Sequence, residues 1–98
     1  LTNLKISGTI QKVEENMYRI FTERKNVKGI KKILSGLVEG YTMYKATGAW
    51  KGVEEGSLVI ELEGISHPTA LLVASSIKAH NRQESVLLQN ILTVTEFV

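Results

Sequence analysis

Apolar and polar positions alternate in period two at the start of the chain. Leu4, Ile6 and Ile10 alternate with Lys5, Ser7 and Thr9, the pattern of a half-buried strand. Lys12 to Asn16 is charged and reads as a turn. Met17 to Glu23 (MYRIFTE) has a strand composition. The period then changes. Val27, Ile30, Ile33, Leu34, Leu37 and Val38 recur at steps of three and four, one apolar helical stripe, with Lys25, Lys28, Lys31 and Lys32 away from it. Asn26 is placed to cap this helix, and Gly40 to end it in the left-handed conformation. Gly29 inside it costs about 1 kcal/mol against Ala.

Tyr41 to Trp50 (YTMYKATGAW) is rich in strand formers, and Lys51 to Gly56 (KGVEEG) reads as a hairpin connection. Ser57 to Glu63 is a strand with Leu58, Ile60 and Leu62 on one face and Ser57, Val59, Glu61 and Glu63 on the other. Ser66 or His67 can cap a second helix with Pro68 in its first turn. Its stripe is Ala70, Leu71, Ala74, Ile77 and Lys78, ending near His80. Gln83 to Gln89 is a strand, and Thr93 to Val98 a final extended segment.

This order predicts an α+β domain spanning 1–98. It is a ferredoxin-like βαββαβ antiparallel sheet with two helices on one face and extra strand segments at the N- and C-terminal ends. Leu58, Ile60 and Leu62 meet the helices. The other face carries Val59, Glu61, Leu87 and one parity of the Tyr41 strand. Either Tyr41, Met43 and Lys45 or their neighbours fit that face. A surface so apolar is expected to be covered, which predicts a homo-oligomer, most simply a dimer.

Composition narrows the chemistry. The 98 residues hold 12 Lys and Arg against 10 Glu and no Asp, a net charge of +2, with no Cys and two His. Disulfides, thiolate metal sites and a cysteine nucleophile are excluded. The small charge argues against a nucleic-acid partner, so the Lys-rich helix face reads as a solvated one. No apolar window of about 18 residues exists, and Leu1 to Ile10 lacks the form of a secretory signal. A cytoplasmic protein is expected.

Three short segments, GAWKG (Gly48 to Gly52), SLVIE (Ser57 to Glu61) and QESVLL (Gln83 to Leu88), occur in an order that resembles a scattered set of small, uncharacterised bacterial and phage proteins. The resemblance covers Gly40 to Leu88. It implies a ferredoxin-like fold and a phage or mobile-element origin, with no settled activity. At fold level the pattern is also similar to PII and CutA proteins, which are trimers and bind ligands at subunit clefts. The PII nucleotide-loop sequence is not found here.

No spacing supplies a nucleophile, base and oxyanion donor together, so no enzyme and no catalytic residue is expected. Glu61 and Glu63 share a strand face and fit a wet face or an inter-subunit salt bridge to Lys45 or Arg19. No metal or cofactor is expected. The aromatic residues carry the remaining chemistry. Trp50 stands at a strand end beside Lys51, and stacking next to a cation is how small nucleotides are held. Trp50 equally fits as a plug for the core end or an interface anchor. The nominated ligand residues are Arg19, Tyr44, Lys45, Trp50, Lys51, Gln83 and Glu84. The last two enter because strand ends collect ligands in such sheets and because they belong to the resembling segment. The expected function is non-enzymatic binding of a small anionic or nucleotide-like ligand at a subunit cleft, with sequestration of a signalling nucleotide as its concrete form. The alternative is a protein-interaction module acting through the open sheet face or the C-terminal segment.

Overall fold

The computed structural model describes residues 11–97, and side chains from residue 15 onward. The expected strand at Leu4 to Ile10 lies outside the described residues. The elements run β1 (Gln11–Glu23), α1 (Val27–Leu37), β2 (Thr42–Trp50), β3 (Val53–Glu63), α2 (His67–Asn81) and β4 (Leu87–Phe97). The four strands form one antiparallel sheet in the order β2-β3-β1-β4. This is the ferredoxin-like βαββαβ architecture that the hydrophobic pattern predicts.

One row of the sheet shows how the core is built. Met43 pairs with Ile60, Ile60 with Ile20, and Ile20 with Leu88, all on the helix side. Ile30 and Leu34 of α1 and Ala70, Val73, Ala74 and Ile77 of α2 close over them. Each fully buried Leu, Ile or Val contributes about 1.5–3 kcal/mol of hydrophobic stabilisation. Tyr41 and Met43 pack on this core, so Tyr44 and its even-numbered neighbours take the opposite face. Val59 belongs to that opposite face by register with Tyr44 and Phe21, yet it is only 2% exposed. At Val59 the cover expected of this face is supplied within the chain itself. In α2 the buried position is Val73, and Leu71 is exposed.

Several boundaries differ from the expected ones. Lys12 to Asn16 is not a turn, because β1 is continuous from Gln11 and pairs with β4 throughout. The last strand begins at Leu87 and absorbs the expected separate segment at Thr93. The β1–β4 ladder thus runs on from Met17–Ile91 to Gln11–Phe97, past the end of β3 at Met17–Glu63. At the other end β2 and β3 continue past the last β1 pair, Glu23–Ser57, as a two-stranded arm. Its connection is only Lys51 and Gly52, both at positive φ, the mark of a type I′ hairpin turn. These extensions make the molecule long, 49 × 33 × 20 Å.

The caps also divide. Ser66 caps α2, accepting from the Thr69 N–H at 3.3 Å, with Pro68 in the first turn. Asn26 adopts the left-handed conformation and makes no side-chain cap bond. Its amide instead reaches Asn81 across the domain. Helix α1 ends at Leu37 with Val38 extended, and Gly40 does not take a positive φ.

Candidate functional site

The arm at Gly48–Trp50 and Glu55–Ser57, the end of β1 at Phe21–Glu23, and the α2–β4 connection at Gln83 and Ser85 enclose a cleft of about 380 Å³. Gly48 and Gly56 lie in its lining. Arg24, the residue after β1, ties the arm at its base. Its Nη2 donates to the Ala46 carbonyl at 2.6 Å and its Nε to the Ser57 carbonyl at 3.3 Å. Ala46 and Ser57 are a registered pair, so one guanidinium holds both strands of the hairpin.

The two walls differ chemically. Trp50 lies on the arm and is 76% exposed, so it does not plug the core of its own chain. The Lys51 ammonium sits 5.8 Å from its ring centroid. On the other wall, Gln83 heads a network of amides. Its Oε1 accepts from Thr22 Oγ1 at 2.6 Å and from Asn81 Nδ2 at 2.8 Å. Its Nε2 donates to the Ser85 carbonyl at 3.2 Å. Asn81, buried at the end of α2, accepts in turn from Asn26 Nδ2 at 3.2 Å. The charged side chains that line the cleft are Glu23 and Glu55, and Glu23 is ion-paired with Lys25 at 3.0 Å.

The nominated residues therefore separate into groups. Trp50 and Gln83 both line the cleft, with Lys51 at the arm's tip and exposed Glu84 beside Gln83. Arg19 and Tyr44 meet elsewhere, on the sheet face opposite the helices. Arg19 Nε and Nη2 both lie 3.0 Å from Glu61 Oε2, and Tyr44 Oη donates to the same oxygen at 3.1 Å. Glu61 thus pairs with Arg19 within the chain. Its neighbouring carboxylate holds the Tyr44 proton; desolvation, this hydrogen bond and the negative charge raise the phenol above its usual 10.0, with Arg19 opposing. Lys45 is remote from the Trp50 cleft and lines a separate hollow with Val27, Lys31, Tyr41, Met43 and Leu58. Tyr44 borders that hollow too. Among the described residues no group of three or more His, Asp or Glu side chains could hold a metal ion. No described helix is long and apolar enough to cross a membrane.

Thr22, Arg24 and Asn81 are the residues that sequence reasoning missed. Each bonds a partner more than 20 positions away. No local motif marks them.

No protein-family model matches the chain, and none of the curated proteins is similar to it in sequence. Solved structures do share its fold. CPII, a nitrogen regulatory PII-like protein from Thiomonas intermedia K12 solved with ADP, AMP and bicarbonate, aligns with a TM-score of 0.62 at 11% identity, covering 87% of this chain and 96% of that one. A phage SAM lyase in its apo state aligns at 0.65 and 15% identity, covering 100% of this chain and 96% of that chain. The same lyase with S-methyl-5'-thioadenosine gives 0.62 and 16%, covering 86% and 89%. Identities this low speak for architecture alone. The chain carries a ferredoxin-like fold of the PII type, one that serves both a regulatory protein and a lyase.

Proposed function

We propose that this chain is a non-enzymatic binding protein for an adenosine-type nucleoside or nucleotide, held in the cleft between Trp50 and Gln83. The observation that carries the reading is an exposed indole and a polar amide network lining one cleft of about 380 Å³, a volume in the range of small-ligand sites. ADP, AMP and S-methyl-5'-thioadenosine, bound by the two similar proteins, share the adenosine group. The lining carboxylates Glu23 and Glu55 favour hydroxyl-bearing or uncharged portions of a ligand over phosphate. A phosphate would extend outward towards Lys51. The open Trp50 side and the outer edge of β2, unpaired among the described residues, support closure of the cleft by a second copy. Capture of a host signalling nucleotide is the role such a site would serve.

Calorimetric titration with AMP, ADP and S-methyl-5'-thioadenosine tests this, together with native mass spectrometry of protein taken directly from cells. Binding by the wild type, and its loss in Trp50→Ala with assembly intact, is the expected result. Absence of binding to all three overturns it. Consumption of S-adenosylmethionine by the protein would overturn its non-enzymatic part.

A second reading rests on Leu92 and Val94, both exposed on β4, and on Leu71 and Leu72, exposed on α2. These fit a protein-interaction surface. Under that reading, Leu92→Ser with Val94→Ser abolishes association and leaves nucleoside binding untouched.

A further inference from the structure

We infer that Gln83 is the specificity-determining residue of the cleft, a hydrogen-bond donor of fixed direction, and that Asn81 is the positioning residue that fixes it. The inference rests on the nucleoside-binding reading and says which edge of the ligand is read.

A backbone carbonyl sets the direction of the Gln83 amide. The Ser85 oxygen can only accept, so the Gln83 atom 3.2 Å from it must be the amide nitrogen. Gln83 Oε1 then points inward, where it accepts from both Thr22 Oγ1 and Asn81 Nδ2. With both lone pairs engaged, it has nothing left to offer a ligand. The constraint passes inward to the next amide. Asn81 must present Nδ2 to Gln83, so its Oδ1 faces Asn26, which must present Nδ2 in return. One carbonyl thus sets the polarity of three side-chain amides.

The bonds to Thr22 and Asn81 are partly buried, whereas the bond to Ser85 is on the exposed side. Thr22 and Ser85 both line the cleft, and the Nε2 end is the one open to solvent there. One of its hydrogens goes to Ser85, and the other meets no acceptor among the described residues. An adenine ring can answer it only with a ring nitrogen, because the exocyclic amino group is itself a donor. A free glutamine amide could read both groups at once; this one cannot. The ligand's amino group points elsewhere, and bases or sugars that present an acceptor at this position are admitted.

Nuclear magnetic resonance of the intact protein tests this in two independent parts. Nuclear Overhauser contacts from the Gln83 amide protons to Ser85 rather than to Thr22 are expected without any ligand. Contacts to Thr22 instead overturn the donor assignment. On addition of AMP, the Gln83 amide protons shift. AMP bound elsewhere in the cleft without moving them overturns the specificity role. If neither AMP nor S-methyl-5'-thioadenosine perturbs any cleft resonance, the nucleoside reading fails, while the ligand-free contacts still decide the amide's direction.

Asn81→Asp supplies the second arm. An aspartate keeps accepting from Asn26 but cannot donate to Gln83; the charge-assisted bond it accepts from Gln83 Nε2 outweighs the lost bond to the Ser85 carbonyl, so the amide reverses and turns its oxygen to the cleft. The contacts move from Ser85 to Thr22, and AMP affinity falls about tenfold, the loss of one hydrogen bond. Unchanged contacts and affinity in a folded Asn81→Asp protein overturn the positioning role. Because Asn81 is buried, Gln83→Glu at the half-buried end of the network is the companion variant. It keeps the inward acceptor and removes the donor, and the same tenfold loss is expected.

Discussion

The imidazole of His80 fills the space in which a side chain on Gly29 would stand. A Cβ built there meets the His80 ring closer than any non-bonded contact allows. This is where α1 and α2 pack, and it explains a glycine inside a helix that gains nothing from its flexibility. Gly29→Ala is expected to cost about 1 kcal/mol in the wild type, because the ring must leave. In a His80→Ala background the same change should stabilise by about 1 kcal/mol through helix propensity. Denaturant melts of the four proteins measure the sign reversal; additive effects would contradict the packing.

Arg24 reaches two carbonyls, one on each strand of the arm. Its loss should loosen the arm far more than the domain. Arg24→Ala is expected to speed amide exchange at residues 47–56 by about fivefold, the equivalent of about 1 kcal/mol for an exposed hydrogen-bonded pair, with helix exchange unchanged. Gly56→Ala should act in the same direction, since a Cβ there would lie 3.1 Å from the Arg24 guanidinium carbon.

Tyr44 should ionise above pH 10.0, the ordinary value for a phenol. A phenol whose proton is held more tightly in the folded state contributes stability that is fully present below pH 10 and is lost as pH rises through the folded value. Glu61→Gln should bring the titration back towards the ordinary value, and Arg19→Ala should raise it further. Ultraviolet absorbance of the tyrosinate, compared with that of Tyr44→Phe, reads each shift.

Lys51 and Arg82 both hold positive φ, where a Cβ is strained. Lys51→Asn, which suits a type I′ turn, and Arg82→Gly, which suits the end of α2, should each stabilise by about 0.5–1 kcal/mol. Thermal melts measure both. Lys51→Asn additionally removes the cation from the Trp50 ring, so its fluorescence should change while that of Arg82→Gly does not.

The parts of the fold legible in the sequence are those that bury one face and wet the other. The Val27–Leu37 stripe and the Leu58, Ile60, Leu62 alternation were visible for this reason. The outer half of β1 was not. Glu15 and Asn16 pair with β4 beyond the helices, where no core imposes a period, so a strand there resembles a charged turn. Val73 and Leu71 exchanged places because either residue completes a helical spacing. In the cleft, Trp50 and Gln83 are legible as strand-end chemistry, whereas Lys45 lies outside it, at an odd-numbered position of β2 with Tyr41 and Met43. Asn26 carried a plausible cap signal, but its amide serves Asn81, a contact 55 positions away that no local window contains.

The pairing of Gln11–Phe21 with Leu87–Phe97 has a consequence for the order in which the molecule can be assembled during synthesis. β1 is an inner strand whose two neighbours are made much later, and one of them is the last element described. Until Leu87–Phe97 has left the ribosome, β1 keeps one bare hydrogen-bonding edge with Ile20 and Phe21 along it. Long-range closure of this kind is slow, and an unpaired apolar edge is where chains stick to one another. The nascent chain is most exposed to aggregation in the interval between completing α2 and releasing Leu87–Phe97.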